Sequence, residues 1–538
     1  MNRLQFIFLL LLVSFIADGQ DRYFVFFKDK SNSPFSVADP SKFLSAKSIA
    51  RRARLNIPIT SEDIPVNPNY VAQVKQTGSK TFYTSKWWNG VLIQTDNATI
   101  SIINNLSFVA KTEFVALGSK LIGGRIAKTD DVSQAAILEA SEFQLAQLGI
   151  DYMHVDGYRG EGVDIAQFDS GWRGGINMVN SSNPFLPLFS DGRIKDVFNF
   201  VTNTTNIFND DTHGTLVLST MGASMPGKFT GGAFKANFYL YETEDKLTEY
   251  RVEEYNWTFA AERADSIGID VINSSLGYNT FDDPSMDYKK ADMNGRTTVI
   301  SRAAKKAIDK GIVVVASAGN SGGTVWQTIL APADVDGILA VGAVTVDGAK
   351  SFFSSTGPSA DGRIKPDVVA LGSSTAVIAP DGSLGSSTGT SLAGPLIACL
   401  AAGLIQEFPN AKPSEIYKAI INSGSIYTNP TNQLGYGIPN YAKAKSYLKY
   451  GQLKDDISVF PNPVINSKLN ILIKEPLGQA VSLSIYDLYA KRLLQTITSV
   501  DWNTNPIQID LSSIPNGVYI LEISEGGKNV ISKIIKAD

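Results

Sequence analysis

Cysteine and histidine are nearly missing from this chain, with one Cys and two His in 538 residues. A single cysteine, Cys399, excludes an internal disulfide, so stability must come from packing, ions or size. Cys399 lies within the apolar run 396–405, where a thiol behaves as a small hydrophobe and nothing nearby would lower its pKa. Scarce histidine narrows the chemistry instead: any imidazole base must be His154 or His213. An excess of one charge is also lacking. With 48 Lys and Arg against 52 Asp and Glu, the net charge of −4 gives no footprint for nucleic acid or an anionic membrane. The apolar run 4–16 is well short of the roughly 20 residues that a membrane span needs.

What is present describes a folded protein of several domains. Hydrophobic residues make up 43% and charged residues 19%, and the length exceeds one ordinary core. Arg3, the apolar run and the small residues Ala17-Asp18-Gly19 form an export signal over 1–19, with cleavage expected before Gln20. Residues 20–121 mix strand-like pieces (23–27, 90–94) with a basic helix-like segment over 45–54, and carry no chemical constellation. Residues 122–148 are a connector, polar and Ala-rich up to about 142.

Residues 149–447 alternate short apolar strands (163–168, 271–272, 312–316, 338–344) with helical segments, one expected over 291–310. That alternation predicts an α/β domain with a parallel sheet flanked by helices. Residues 456–538 hold strand-like runs at 469–473, 481–487, 507–511, 518–523 and 530–535, divided by turns such as Pro461-Asn462-Pro463. They predict a small C-terminal β-sandwich.

Four residues stand at positions where chemistry collects. Ser391, in Gly389-Thr390-Ser391-Leu392-Ala393-Gly394-Pro395, precedes an apolar helix-like run. Its hydroxyl would sit at a helix N-terminus, where free N–H groups favour a developing negative charge. Asp169 ends a predicted strand, His213 starts a predicted helix beside Gly214, and Asn320 follows a strand through Ser317-Ala318-Gly319. Singly, each has a bland reading: a turn or capping aspartate, a structural histidine, an Asn-containing turn. Ser321 competes as nucleophile, since Gly319-Asn320-Ser321-Gly322-Gly323 fits G-x-S-x-G. That elbow needs its histidine further along the chain, and none follows His213.

Ser391 leaves the order Asp, His, Ser, and here a family resemblance becomes specific. Asp169-Ser170-Gly171, His213-Gly214-Thr215 and the Ser391 segment together resemble the signature segments of subtilisin-like serine peptidases. Ala318-Gly319-Asn320 resembles that family's oxyanion asparagine. Leu392 and Ala393-Gly394 depart from the family's commoner Met and Ala-Ala, away from the reacting atoms. The resemblance implies a serine endopeptidase with Asp169, His213 and Ser391 as triad and Asn320 as oxyanion donor. It implies that Ser275-Leu276-Gly277 pairs with extended polypeptide substrate and that Ser317-Ala318-Gly319 lines the first specificity pocket.

No cofactor is required for that chemistry, while structural calcium is a family possibility that acidic loops such as Phe281-Asp282-Asp283 could serve. By position, 20–121 looks like the family's propeptide, a small α+β domain cleaved within the connector. The tail resembles the sorting domain of the Bacteroidetes type IX secretion system, through Val459-Phe460-Pro461-Asn462-Pro463, Ile485-Tyr486-Asp487-Leu488 and Pro515-Asn516-Gly517-Val518-Tyr519. Tyr489-Ala490-Lys491 replaces the usual Gly-Lys after Asp-Leu. That tail implies export machinery as a partner and a secreted or cell-surface location. The competing readings are an inactive relative used for binding or adhesion, and an esterase working through Ser321.

Overall fold

The computed structural model describes residues 20–118, 140–174, 183–208, 211–451, 456–474, 476, 478–501, 504–525 and 527–537. The expected export signal and most of the connector lie outside the described residues.

The central sheet has seven strands, all parallel. From one edge they run Val368–Leu371, Leu339–Val344, Val313–Ser317, Val271–Ser274, Asp164–Asp169, Asn237–Glu242 and Ile194–Asn199. Apolar residues fill these strands because both faces are covered. Val313 and Val315 join one apolar cluster with the helices His213–Gly222 and Thr390–Glu407. Val314 and Ala316 join the other with the helices Val252–Ile267 and Val299–Asp309. The helix Thr390–Glu407 is the one described helix long and apolar enough to cross a membrane, but 83% of it is buried here as the core of this sheet. Cys399 lies inside it with no exposure, and burial pushes its thiol pKa up.

The N-terminal block is a four-stranded antiparallel sheet, ordered Lys80–Ser85, Gly90–Thr95, Asp21–Phe27 and Val109–Ala116. Phe24, Trp87, Leu92 and Val115 share one apolar cluster with Val252–Ile267 and Val299–Asp309. An ionic seam runs beside that contact. Asp265, fully buried, pairs with Arg51 (2.9 Å), Arg52 (2.8 Å) and Lys86 (3.0 Å). Glu262 accepts hydrogen bonds from the Ser85 hydroxyl and from the backbone N–H of Lys86 and Trp87.

The C-terminal block is a strongly bent seven-stranded sheet around a single apolar core. Its strand Ile457–Ile465 serves both halves: residues 457–460 pair with Lys468–Ile473, while Val464 pairs with Lys536. Sharing one strand between two facing layers gives the nearly closed sandwich.

Three local expectations change. The helix expected over 291–310 begins only at Val299, because Asn294 Oδ1 accepts two backbone N–H groups in a turn and Thr298 caps the helix through Ser301 N–H. Residues 457–465 form a strand despite Pro461 and Pro463, since the strand changes partner across them. Arg492–Val500 is a strand that the pattern missed; it is an edge strand, and only Val500 within it is buried.

Asp265→Ala removes the carboxylate shared by Arg51, Arg52 and Lys86, leaving Arg52 its pair with Asp63; a loss of about 3–5 kcal/mol in the affinity of the separately made N-terminal block is expected by titration calorimetry. Burial raises the Glu254 carboxyl pKa to about 7, against hydrogen bonds from Tyr288 and the Ile300 N–H. The folded state therefore holds a proton that the unfolded state has lost, and stability falls as pH rises from 4.5 to about 7. Denaturant melts of Glu254→Gln across that window should lack a fall of about 3 kcal/mol that the parent shows.

Candidate active site

Asp169 ends a strand, His213 and Ser391 open helices, and Asn320 lies in the loop after a strand, all on the carboxyl side of the central sheet, where open α/β sheets place their sites. Asp169 is the last residue of its strand and fully buried. Its Oδ1 accepts from His213 Nδ1 at 2.6 Å and from the Ser170 N–H at 2.9 Å, and its Oδ2 accepts from Gln167 Nε2 at 3.0 Å. A carboxylate without solvent is tolerable only with such donors around it. His213, the first residue of its helix, keeps 17% of its side chain exposed. The approach of its helix needs Gly214: a Cβ there would lie 2.4 Å from the Gly171 carbonyl oxygen and 2.8 Å from the Trp172 ring.

Ser391 is the second residue of the helix Thr390–Glu407. Its carbonyl accepts from the Ser275 hydroxyl at 2.9 Å, which in turn accepts from Asn273 Nδ2 at 3.2 Å. Asn320 is fixed through its oxygen, Oδ1, which accepts from Thr390 N–H (2.9 Å) and Thr390 Oγ1 (2.8 Å). That holds Nδ2 on the side where Ser391 Oγ lies: a Cβ added at Gly389 would be 2.8 Å from the hydroxyl and 3.7 Å from the amide nitrogen. His213, Asn320 and Ser391 line one cavity of about 110 Å³, with Ser275-Leu276-Gly277, Ser317 and Gly319 around it. Ala318 is not among its lining residues; its backbone bonds Val341 on one side and Leu330 on the other.

The remaining candidates lie apart. His154 gives Nε2 to the Gly232 carbonyl at 2.8 Å, and burial lowers its pKa. Ser321 sits in a turn, its N–H donating to Ser355 Oγ and its carbonyl accepting from Thr324. Asp282 and Asp283 both accept backbone N–H groups, from Glu249 and Ser285. Among the described residues, Glu244, Glu249 and Glu253 bring carboxylate oxygens within 4.8 Å of one another, a donor set of the hard type that suits calcium.

Several participants escaped the sequence reading. Gln167 had a signal, since period-2 alternation puts it on the Asp169 face of the strand. Asp211 had none. It accepts from the Ser170 hydroxyl (2.9 Å) and pairs with Lys246 (3.0 Å). Burial opposes its charge, yet Lys246, the Thr212 N–H and Ser170 together hold its pKa below the usual range.

The subtilase family profile matches residues 160–437, the Peptidase S8 propeptide domain of Bacteroidota matches 22–130, and the secretion system C-terminal sorting domain matches 458–537. Subtilisin E of Bacillus subtilis is 29% identical over 306 residues, covering 56% of this chain and 70% of its own. Subtilisin of Bacillus pumilus shows the same identity and coverage of this chain, over 98% of its own length. The crystal structure of MycP1 from Mycobacterium smegmatis overlays with a TM-score of 0.47 at 21% identity, over 60% of this chain and 89% of that one.

Gly214→Ala should cost about 1–3 kcal/mol through the clash with Gly171 and Trp172. Because that clash displaces the start of the His213 helix, hydrolytic activity should fall further than the thermal midpoint alone accounts for, measured well below melting.

Proposed function

The chain belongs to the subtilase family, and we propose that it is an exported endopeptidase whose acyl-enzyme forms on Ser391. It is a subtilisin-like serine peptidase with a propeptide domain and a type IX sorting tail, so polypeptides are its substrates and its destination is outside the cell or on the cell surface.

Ser391 Oγ attacks the scissile carbonyl carbon while His213 Nε2 takes its proton. The resulting oxyanion meets Asn320 Nδ2 and the backbone N–H of Ser391. Collapse expels the amine, which takes the proton from His213. Water then attacks the ester with His213 again as base, releasing the acid and restoring Ser391. Asp169 keeps the proton of His213 on Nδ1 and stabilises the imidazolium. The observation that carries this reading is the 2.6 Å bond from His213 Nδ1 to Asp169, made by the histidine that shares a cavity with Ser391 and Asn320.

An adhesive role without catalysis would not require all four groups to be kept in register. The N-terminal domain, bound over two helices of the peptidase domain, serves as inhibitor and folding aid until the connector is cut.

Casein hydrolysis and fluorophosphonate labelling of Ser391→Ala and Ser321→Ala, after removal of the N-terminal domain, test the assignment. Ser391→Ala should lose labelling and more than about 1000-fold in kcat, whereas Ser321→Ala should retain both. Undiminished cleavage by Ser391→Ala sinks the reading, and a parent protein that neither cleaves nor labels favours the binding role.

A further inference from the structure

We infer that Leu330 sets the specificity of this cleft, plugging the pocket for the substrate side chain that precedes the scissile bond and restricting that residue to glycine or alanine. The inference rests on Ser391 as nucleophile and on extended substrate lying between the ends of the strands Val271–Ser274 and Val313–Ser317.

Those two strands continue into Gly277 and Gly319, which line the Ser391 cavity. The space that both glycines leave open is taken by one side chain. A Cβ on Gly277 would lie 2.8 Å from Leu330 Cβ, and a Cβ on Gly319 would lie 2.7 Å from Leu330 Cγ. Leu330 is fastened to both walls. Its N–H donates to the Ala318 carbonyl at 3.0 Å, and the next residue, Ala331, exchanges backbone hydrogen bonds with Tyr278 at 3.0 and 3.3 Å. Only 9% of Leu330 is exposed, so the side chain has little room to swing away.

Leu330 also separates two cavities. The one holding Ser391 and His213 measures about 110 Å³. A second, of about 410 Å³, lies beyond, lined by Asn279, Thr280, Phe281 and Thr324, and both touch Gly277, Asn320 and Leu330. A closed apolar cavity of about 150 Å³ can hold benzene. The smaller space is below that size and is shared with the catalytic groups, which disfavours an aromatic side chain, whereas trimming Leu330 would join it to the larger one.

The test uses the full-length protein after maturation and peptide p-nitroanilides of sequence Ala-Ala-Pro-X, with X as Gly, Ala, Leu or Phe. The parent should show a kcat/KM for Ala at least about tenfold above that for Phe, the scale on which small pockets reject added carbons. Leu330→Ala and Leu330→Gly should move the Phe to Ala ratio at least about tenfold towards Phe. A parent that cleaves after Phe as well as after Ala overturns the inference, as do active variants with an unchanged ratio. If both variants misfold, the parent's own ratio decides. A parent that cleaves neither these peptides nor casein overturns the peptidase assignment itself, which is a different failure.

Discussion

Burying one carboxylate without leaving it bare is the constraint on which this site depends. Asp169 has no solvent, so its oxygens must find donors, and the fold supplies them from its own strand (Gln167), the next residue (Ser170) and a distant helix (His213). Each donor also fixes something else. Gln167 Nε2 reaches the Gly214 carbonyl as well, tying the strand to the start of the His213 helix. Ser170 turns its hydroxyl to Asp211, which Lys246 holds in turn. The histidine is thus set in orientation before any substrate arrives, which is what a general base requires.

The same economy governs the serine side. The Ser391 helix packs its apolar length against one face of the sheet while its first turn emerges at the carboxyl edge. Ser275 and Asn320 anchor that first turn from two neighbouring strand ends, one through the Ser391 carbonyl and the other through Thr390. Strands whose order places Asp164–Asp169 inside the sheet bring the base, the nucleophile and the amide to one crevice.

The opposite face of the sheet carries the N-terminal domain. One of its helices, Val252–Ile267, presents two buried carboxylates, Glu262 and Asp265, to an N-terminal domain that answers with backbone N–H groups and three cations. A seam of this kind is specific because each charge is costly to bury without its partner. At the other end of the chain, the sorting domain closes its own core through a strand shared between two layers.

The sequence placed Asp169 at a strand end and His213 and Ser391 at helix starts, and their order along the chain, which leaves Ser321 without a base, carried the family resemblance. The strand ends and helix starts are set by residues within a turn or two of each other, as are the apolar strands and the turn-punctuated tail. The expected helix over 291–310 erred where turn and cap side chains override a helical pattern, and the proline-bearing strand erred where pairing changes partner. Tertiary structure alone decided the Asp211–Lys246 bond, the Arg51–Asp265 seam and the wedge of Leu330 between Gly277 and Gly319. Each joins segments far apart in the sequence, and no local periodicity encodes which distant side chain will fill a gap or answer a buried charge.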